Sequence, residues 1–342
     1  MKPKFRRFAR KFRRITFRGL PAVIIFSAAS ISPSNALVVP TDGAGNYTVV
    51  AVEANTILGL GGVSNVVTVL PGGLLTGDVV ALDGIQIISQ GVGPTYTVNN
   101  SGIISVIGGG QAVESLVLPV NVNNTGGLMI NTSGDLIVIG SGSAVTNSGT
   151  LSAENHAISI SGNGTVTNTG TIIGDNDADG FGDGVRTTGD LTLTNSGSIS
   201  SGFHAVNAGG ALVSITNNGG SIVGTDPSSS VAFGIQAVNS AGLSTIVNDA
   251  GLITGDQSGI LAGSLNFIIN TNGGVIASTD AGGSNAIQLS GTLGSLVNNA
   301  GSVISAAPTT GGSGLFIGGN LGNGNFAISL NAGTIVSVVD EP

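Results

Sequence analysis

From position 98 onward the chain repeats one short pattern of apolar and polar positions. An apolar residue, a spacer, Asn, a small residue and Gly or Ala lead into a second apolar run. The copies are VNNSGII from Val98, VNNTGGL from Val122, VTNSGTL from Val145, VTNTGTI from Val166 and LTNSGSI from Leu193. They continue as ITNNGGSI from Ile215, IVNDAGLI from Ile246, IINTNGGVI from Ile268, LVNNAGSV from Leu296 and SLNAGTI from Ser329. Their anchoring residues are Asn100, Asn124, Asn147, Asn168, Asn195, Asn217, Asn248, Asn270, Asn298 and Asn331, spaced 24, 23, 21, 27, 22, 31, 22, 28 and 33 apart. A core near 22 residues with insertions of variable length predicts stacked coils whose loops lie outside the stack.

Each repeat carries a second recurring piece, small-apolar-x-apolar: HAISI (156–160), HAVNA (204–208), FGIQA (233–237), SGILA (258–262), NAIQL (285–289) and SGLFI (313–317). Period-two alternation marks a strand with one inward face. A third apolar run leads into the next Asn, as in LTLTN (191–195) and LVSITN (212–217). The fold class expected is therefore all-β, a right-handed parallel β-helix (β-solenoid) with about three short strands per coil. One coil cannot bury its Val, Ile and Leu alone; stacking aligns them into continuous columns. Neighbouring coils are then bonded at a spacing of roughly 4.8 Å. Gly and Asn tolerate left-handed backbone at the corners, and aligned Asn side chains can bond to one another along the stack. Both residue types are read as structural. Residues 37–97 hold less regular runs, VVAVEANTILGL (49–60) and VVTVL (66–70), and are expected to form an N-terminal cap and early irregular coils before the repeat region, 98–342.

Charge divides the chain. Nine of its ten basic residues fall within the first 18 positions, the tenth is Arg186, and all 18 acidic residues follow position 36. The basic start, the 12-residue apolar run Leu20–Ile31 and Ser34-Asn35-Ala36 read as a signal peptide over residues 1–36, cut after Ala36. The run is too short to span a bilayer, and no later stretch of ~18 apolar residues predicts a membrane helix. The remainder has one Arg against 18 carboxylates, a net charge of −17 with His neutral. Such a surface repels phosphate backbones and excludes nucleic acid as a partner. Cysteine is absent, so disulfides play no part.

The TNSGTI-type repeat behind an extended basic signal resembles the passenger region of Gram-negative autotransporters and related β-strand-repeat surface adhesins. The resemblance covers roughly residues 98–337. It implies export through the inner membrane, a location at the cell surface (outer membrane associated) or in the extracellular medium, and a role in adhesion. Implied partners are the export machinery and host or bacterial surface glycans or proteins. Autotransporters close with a β-barrel of alternating ~10-residue strands and aromatic girdles. The six Phe, two Tyr and absent Trp after residue 36, and the final Pro342, do not follow that pattern.

Chemistry-bearing positions are few. Asp175, Asp177, Asp179 and Asp183, with Gly180 between them, match loop positions 1, 3, 5, 9 and 6 of an EF-hand-like site, which makes Ca²⁺ the candidate ion. Position 12 is Arg186 rather than Glu, so affinity is expected to suit extracellular calcium. No catalytic residue and no organic cofactor is expected. The alternative to a scaffold is a polysaccharide-active β-helix enzyme, a lyase or hydrolase. A lyase needs a base where only Arg186 is available, and a hydrolase needs paired carboxylates roughly 5–9.5 Å apart. His156 and His204 both precede Ala and are expected to face outward without partners. Thr is not expected to recur at one strand position often enough to build a flat ice- or mineral-binding array.

Overall fold

A computed structural model describes residues 46–50, 52–53, 57–60, 66–77, 83–88, 96–107, 109–175, 181–226, 231–280, 284–307, 312–318, 327–329 and 333–336. The expected signal peptide, 1–36, lies outside them. All described residues belong to one compact unit, Asn35–Pro342. They contain strands and turns and no helix, so none is long and apolar enough to cross a membrane.

The architecture is the expected parallel β-helix. Three sheets run the length of the stack, with 12, 12 and 11 described strands. The first begins with Asn46–Val49, the second with Val52–Glu53 and the third with Ile57–Leu60; each winding then adds one strand to each sheet in turn. Every pairing is parallel and joins a strand to its counterpart one winding later, as Gly164–Asn168 pairs with Leu191–Asn195. Each edge is thus covered by the next coil, apart from the two ends of the stack. The segment expected to hold irregular early coils contributes strands from Asn46 onward to the same three sheets.

Inward residues stack in columns, one per sheet. Val98, Val122, Val145, Val166, Leu193, Ile215, Ile246, Ile268 and Leu296 line the first sheet. Ile104, Met129, Leu151, Ile172, Ile199, Ile222, Ile253, Ile276 and Ile304 line the second. Ile85, Val113, Ile137, Ile158, Val185, Val206, Ile235, Ile260 and Ile287 line the third. None of these side chains is more than 1% exposed. β-branched residues suit such columns because their χ1 is already restricted and the branch fills the gap to the next winding. Tight winding leaves little room for a side chain two or three residues after most ladder asparagines. A Cβ on Gly170 would run into the Gly149 carbonyl, so glycine recurs there for close approach.

Candidate functional site at the corner before the third sheet

Two polar columns accompany the aliphatic ones, the first buried throughout and the second partly so. The first is the expected asparagine ladder. Each Nδ2 donates to the Oδ1 of the Asn one winding later, from Asn100 to Asn124 and on through Asn147, Asn168, Asn195, Asn217, Asn248, Asn270 and Asn298, at 2.8–2.9 Å. All nine are at most 1% exposed. The same nitrogens bond turn carbonyls, as Asn168 Nδ2 does to Gly170 at 3.2 Å and Ser198 at 3.1 Å. A buried amide would be costly if unpaired; here every rung satisfies the next. Asn331 lies outside the described residues. Towards the N-terminus the column continues as buried Val69, paired with Asn100, so the early coils hold the same position with an aliphatic residue. Buried and paired along its length, this column bonds each winding to the next.

The second polar column was not anticipated. Two residues before each inward aliphatic of the third sheet stand Asp135, His156, Asp183 and His204, with Phe233 next; Asp183 pairs directly with His204. Asp135 Oδ1 accepts the His156 backbone N–H at 3.1 Å. His156 Nδ1 accepts the Asp183 N–H at 2.9 Å and lies 3.5 Å from Asp183 Oδ2. Asn207 Nδ2 donates to that same Oδ2 at 3.1 Å, while Asp183 Oδ1 is buried without a hydrogen-bond partner. Arg186 Nη1 lies 2.8 Å from His156 Nε2 on the outer side.

Neither histidine therefore matches the expectation of an outward, partnerless side chain. His204 is 2% exposed, stacked on Phe203 with ring centroids 3.6 Å apart and tilted against Phe233 at 4.9 Å. The Phe233 N–H donates to its Nδ1 at 3.3 Å. His156 keeps 14% of its side chain in solvent. The signal was present in the sequence: Asp183–Thr187, DGVRT, is the counterpart of HAISI one winding earlier and of HAVNA one winding later. The alternating Asp residues before Asp183 mask the match.

Burial sets the electrostatics. Loss of hydration pushes the Asp183 carboxyl up from 3.8 to about 7, with the Asn207 hydrogen bond and the Arg186 charge pulling the other way. Asp83, two residues before Ile85 in the same column, also rises to about 7 through burial and a hydrogen bond with Glu114. His204 falls to about 4, and His156 is lowered as well, in both cases chiefly by burial. Ionisable groups held near neutrality by their surroundings are a mark of functional sites as well as of polar cores.

Of the expected calcium ligands, Asp175 and Asp183 are described and both are 2% exposed; Asp177 and Asp179 lie outside the described residues. Asp175 has a left-handed backbone, φ 47°, at the end of its strand. The unpartnered Asp183 Oδ1 is the right donor type for a hard cation. Among the described residues no three His, Cys, Asp or Glu side chains converge as a metal site.

Outside, the sheets present ordered ranks. Contrary to expectation, Thr146, Thr167, Thr194 and Thr216 share one column of the first sheet over four consecutive windings. Thr150, Thr171, Ser198 and Ser221 do the same on the second. Both ranks turn aliphatic at the same winding, to Val247, Ile269 and Val297 on one sheet and Leu252, Val275 and Val303 on the other. Phe267, 41% exposed, adds to the apolar end. No protein-family model, curated protein or solved structure matches the chain.

Proposed function

We propose that the chain is an exported β-helical scaffold of the autotransporter-passenger type, acting at the cell surface or outside the cell by contact rather than catalysis. The observation that carries this reading is the zoned exterior. A hydroxyl zone gives way, on two sheets at once, to an aliphatic zone that folding leaves partly in solvent. Contiguous exposed apolar residues on a soluble surface mark sites of association. A stack held by columns and an amide ladder can carry such zones as a stiff support. Calcium held by Asp175, Asp177, Asp179 and Asp183 belongs to this proposal as a support for the acidic segment that carries them.

The test couples the mature chain to beads and measures retention on cells and on immobilised surface glycans. The triple variant Val247→Thr, Ile269→Thr, Val297→Thr should retain far fewer beads than wild type while melting at a similar temperature. Retention no better than that of an inert protein, for wild type itself, would remove the reading. Fractionation should find the chain outside the inner membrane with Leu37 as its first residue.

One observation favours the alternative, a polysaccharide-active enzyme: Asp135, His156, Asp183 and Arg186 meet at one corner. Against it, the Asp183 side chain is 3% exposed and Arg186 covers the outer nitrogen of His156. Release of reducing ends from neutral or acidic glycans, lost in Asp183→Asn, would reverse the preference.

A further inference from the structure

From Ala205 to Pro342 the chain holds six Asp or Glu and no Lys, Arg or His. The aliphatic zone lies wholly within that stretch. One half is Val247, Ile269 and Val297 on the first sheet, with Phe267 on the same outward face two residues before Ile269. The other half is Leu252, Val275 and Val303 on the second sheet. Leu252 and Phe267 keep 37% and 41% of their surface in solvent. Both halves are bounded. Thr216 and Ser221 stand one winding before them, Ser329 and Thr334 one winding after.

Carboxylates edge this zone. Asp249 ends the strand of Val247, three residues before Leu252, and its Oδ1 accepts from the neutral Asn272 amide. Asp256 and Asp280 follow the strands of Leu252 and Val275 at the opposite end of the second sheet. They sit one winding apart, the Asp280 N–H donating to the Asp256 carbonyl at 2.9 Å. The Asp256 carboxylate itself accepts from the Thr279 hydroxyl and the Asp226 N–H, again neutral donors. Among the described residues none of the three forms an ion pair.

An apolar surface edged by carboxylates without counter-ions is complementary to aliphatic side chains flanked by Lys or Arg. A second copy of this chain presents the same charges and is repelled, as are polyanions. Three windings span on the order of 10 Å along the stack, about two turns of helix. That length suits the apolar ridge of a short amphipathic segment better than the face of a folded domain.

We propose that the aliphatic zone binds a cationic amphipathic peptide segment. Its apolar ridge lies on the Val247 and Leu252 columns, and its Lys or Arg side chains meet Asp249, Asp256 and Asp280. This rests on reading the zone as a contact surface and names the chemistry of what it contacts. The probe is a fluorescent amphipathic helix of Leu and Lys, titrated with the mature chain and followed by anisotropy. A Leu/Ser peptide of the same pattern and a Leu/Lys peptide scrambled to erase its apolar face are the controls. The Leu/Lys helix should bind saturably, more weakly as salt rises, and both controls clearly less well. Leu252→Ser with Val275→Thr and Val303→Thr should weaken binding at least about tenfold. These changes extend the hydroxyl residues of the adjoining windings, so unchanged melting is expected and is checked alongside. Asp249→Asn with Asp280→Asn should weaken binding about threefold or more at low salt. Ile103→Thr lies in the same second-sheet column nearer the N-terminus, where the first sheet carries Asn99 and Asn123, and should bind as wild type. Absence of saturable binding, or wild-type binding by the aliphatic or the Asp variant, would overturn the proposal. Equal binding of the Leu/Ser peptide would overturn the cationic class, and an equal loss in Ile103→Thr the placement. If the Leu/Lys helix goes unbound while wild-type beads are still retained on cells, this inference falls alone. Peptide binding without bead retention removes the adhesion reading and keeps the peptide site.

Discussion

Asn168→Ala tests the ladder where its geometry is most fully defined. Asn168 accepts from Asn147 Nδ2 and donates to Asn195 Oδ1, both at 2.8 Å, and also bonds the Gly170 and Ser198 carbonyls. Asn147 Nδ2 keeps two carbonyl partners, Gly149 and Thr171, after the change. Asn195 Oδ1 loses the donor from Asn168 in a position that water does not reach, Asn195 being 0% exposed. Two ladder bonds at about 1 kcal/mol net each, and about 1–3 kcal/mol for one stranded acceptor, give a cost of about 3–5 kcal/mol. Asn168→Asp is the sharper companion: an ionised carboxylate would face three acceptors, so its loss should shrink as pH falls and the group takes up a proton. The assay is urea unfolding of the mature chain, with hydrogen exchange reporting opening of the windings around position 168, since solenoid stability is partly local. A loss below about 1 kcal/mol for Asn168→Ala, with exchange unchanged in those windings, would refute the claim that the ladder holds neighbouring coils together.

Other outcomes follow from the same geometry. Ile199→Ala, in the middle of the second column and 0% exposed, should cost about 2–5 kcal/mol in the same unfolding assay. The corner column sets carboxyl and imidazole slopes against each other in mild acid. Asp83 and Asp183, both raised to about 7, contribute stability that is full below 3.8 and lost as pH rises through 7; His204, lowered to about 4, contributes stability that is present above 6.5 and lost as pH falls through 4, and His156, also lowered, acts in the same direction. Asp183→Asn removes one carboxyl slope, so between pH 4 and 6.5 the variant should gain stability relative to wild type as pH rises, by up to about 1.4 kcal/mol per pH unit. A pH-stability curve for the variant parallel to wild type would contradict this. Millimolar Ca²⁺ should raise the melting temperature of wild type but not of Asp177→Ala; no shift in either would remove the calcium proposal.

Much of the fold was legible because its two signals are local. The Asn-small-Gly turn fixes one corner of every winding, and period-two alternation marks strands such as HAVNA without knowledge of their neighbours. The lateral columns were harder to read, since they depend on register across insertions of unequal length. Thr146, Thr167, Thr194 and Thr216 are 21, 27 and 22 residues apart, so their shared column emerges only when each is counted from its own ladder Asn. The His–Asp column was obscured differently. Asp183 ends a run of alternating Asp residues that looks like a metal loop, yet it also opens the strand Asp183–Thr187 and packs between two histidines. Partners one winding apart cannot be found by scanning nearby residues. Val69 shows the converse case, an aliphatic residue in a ladder position that the Asn motif does not reveal.

Winding register is the claim on which the columns, the ladder and the corner all depend, and the cysteine-free chain allows a direct measurement of it. Cysteine pairs are introduced on the first sheet and oxidised in the folded protein. Thr167→Cys with Thr194→Cys joins neighbours in register. Thr167→Cys with Thr216→Cys lies two windings apart, about 9.6 Å, beyond the reach of a disulfide. The account predicts efficient bridging of the first pair and none of the second. Bridging of the second pair, or of neither, would contradict it.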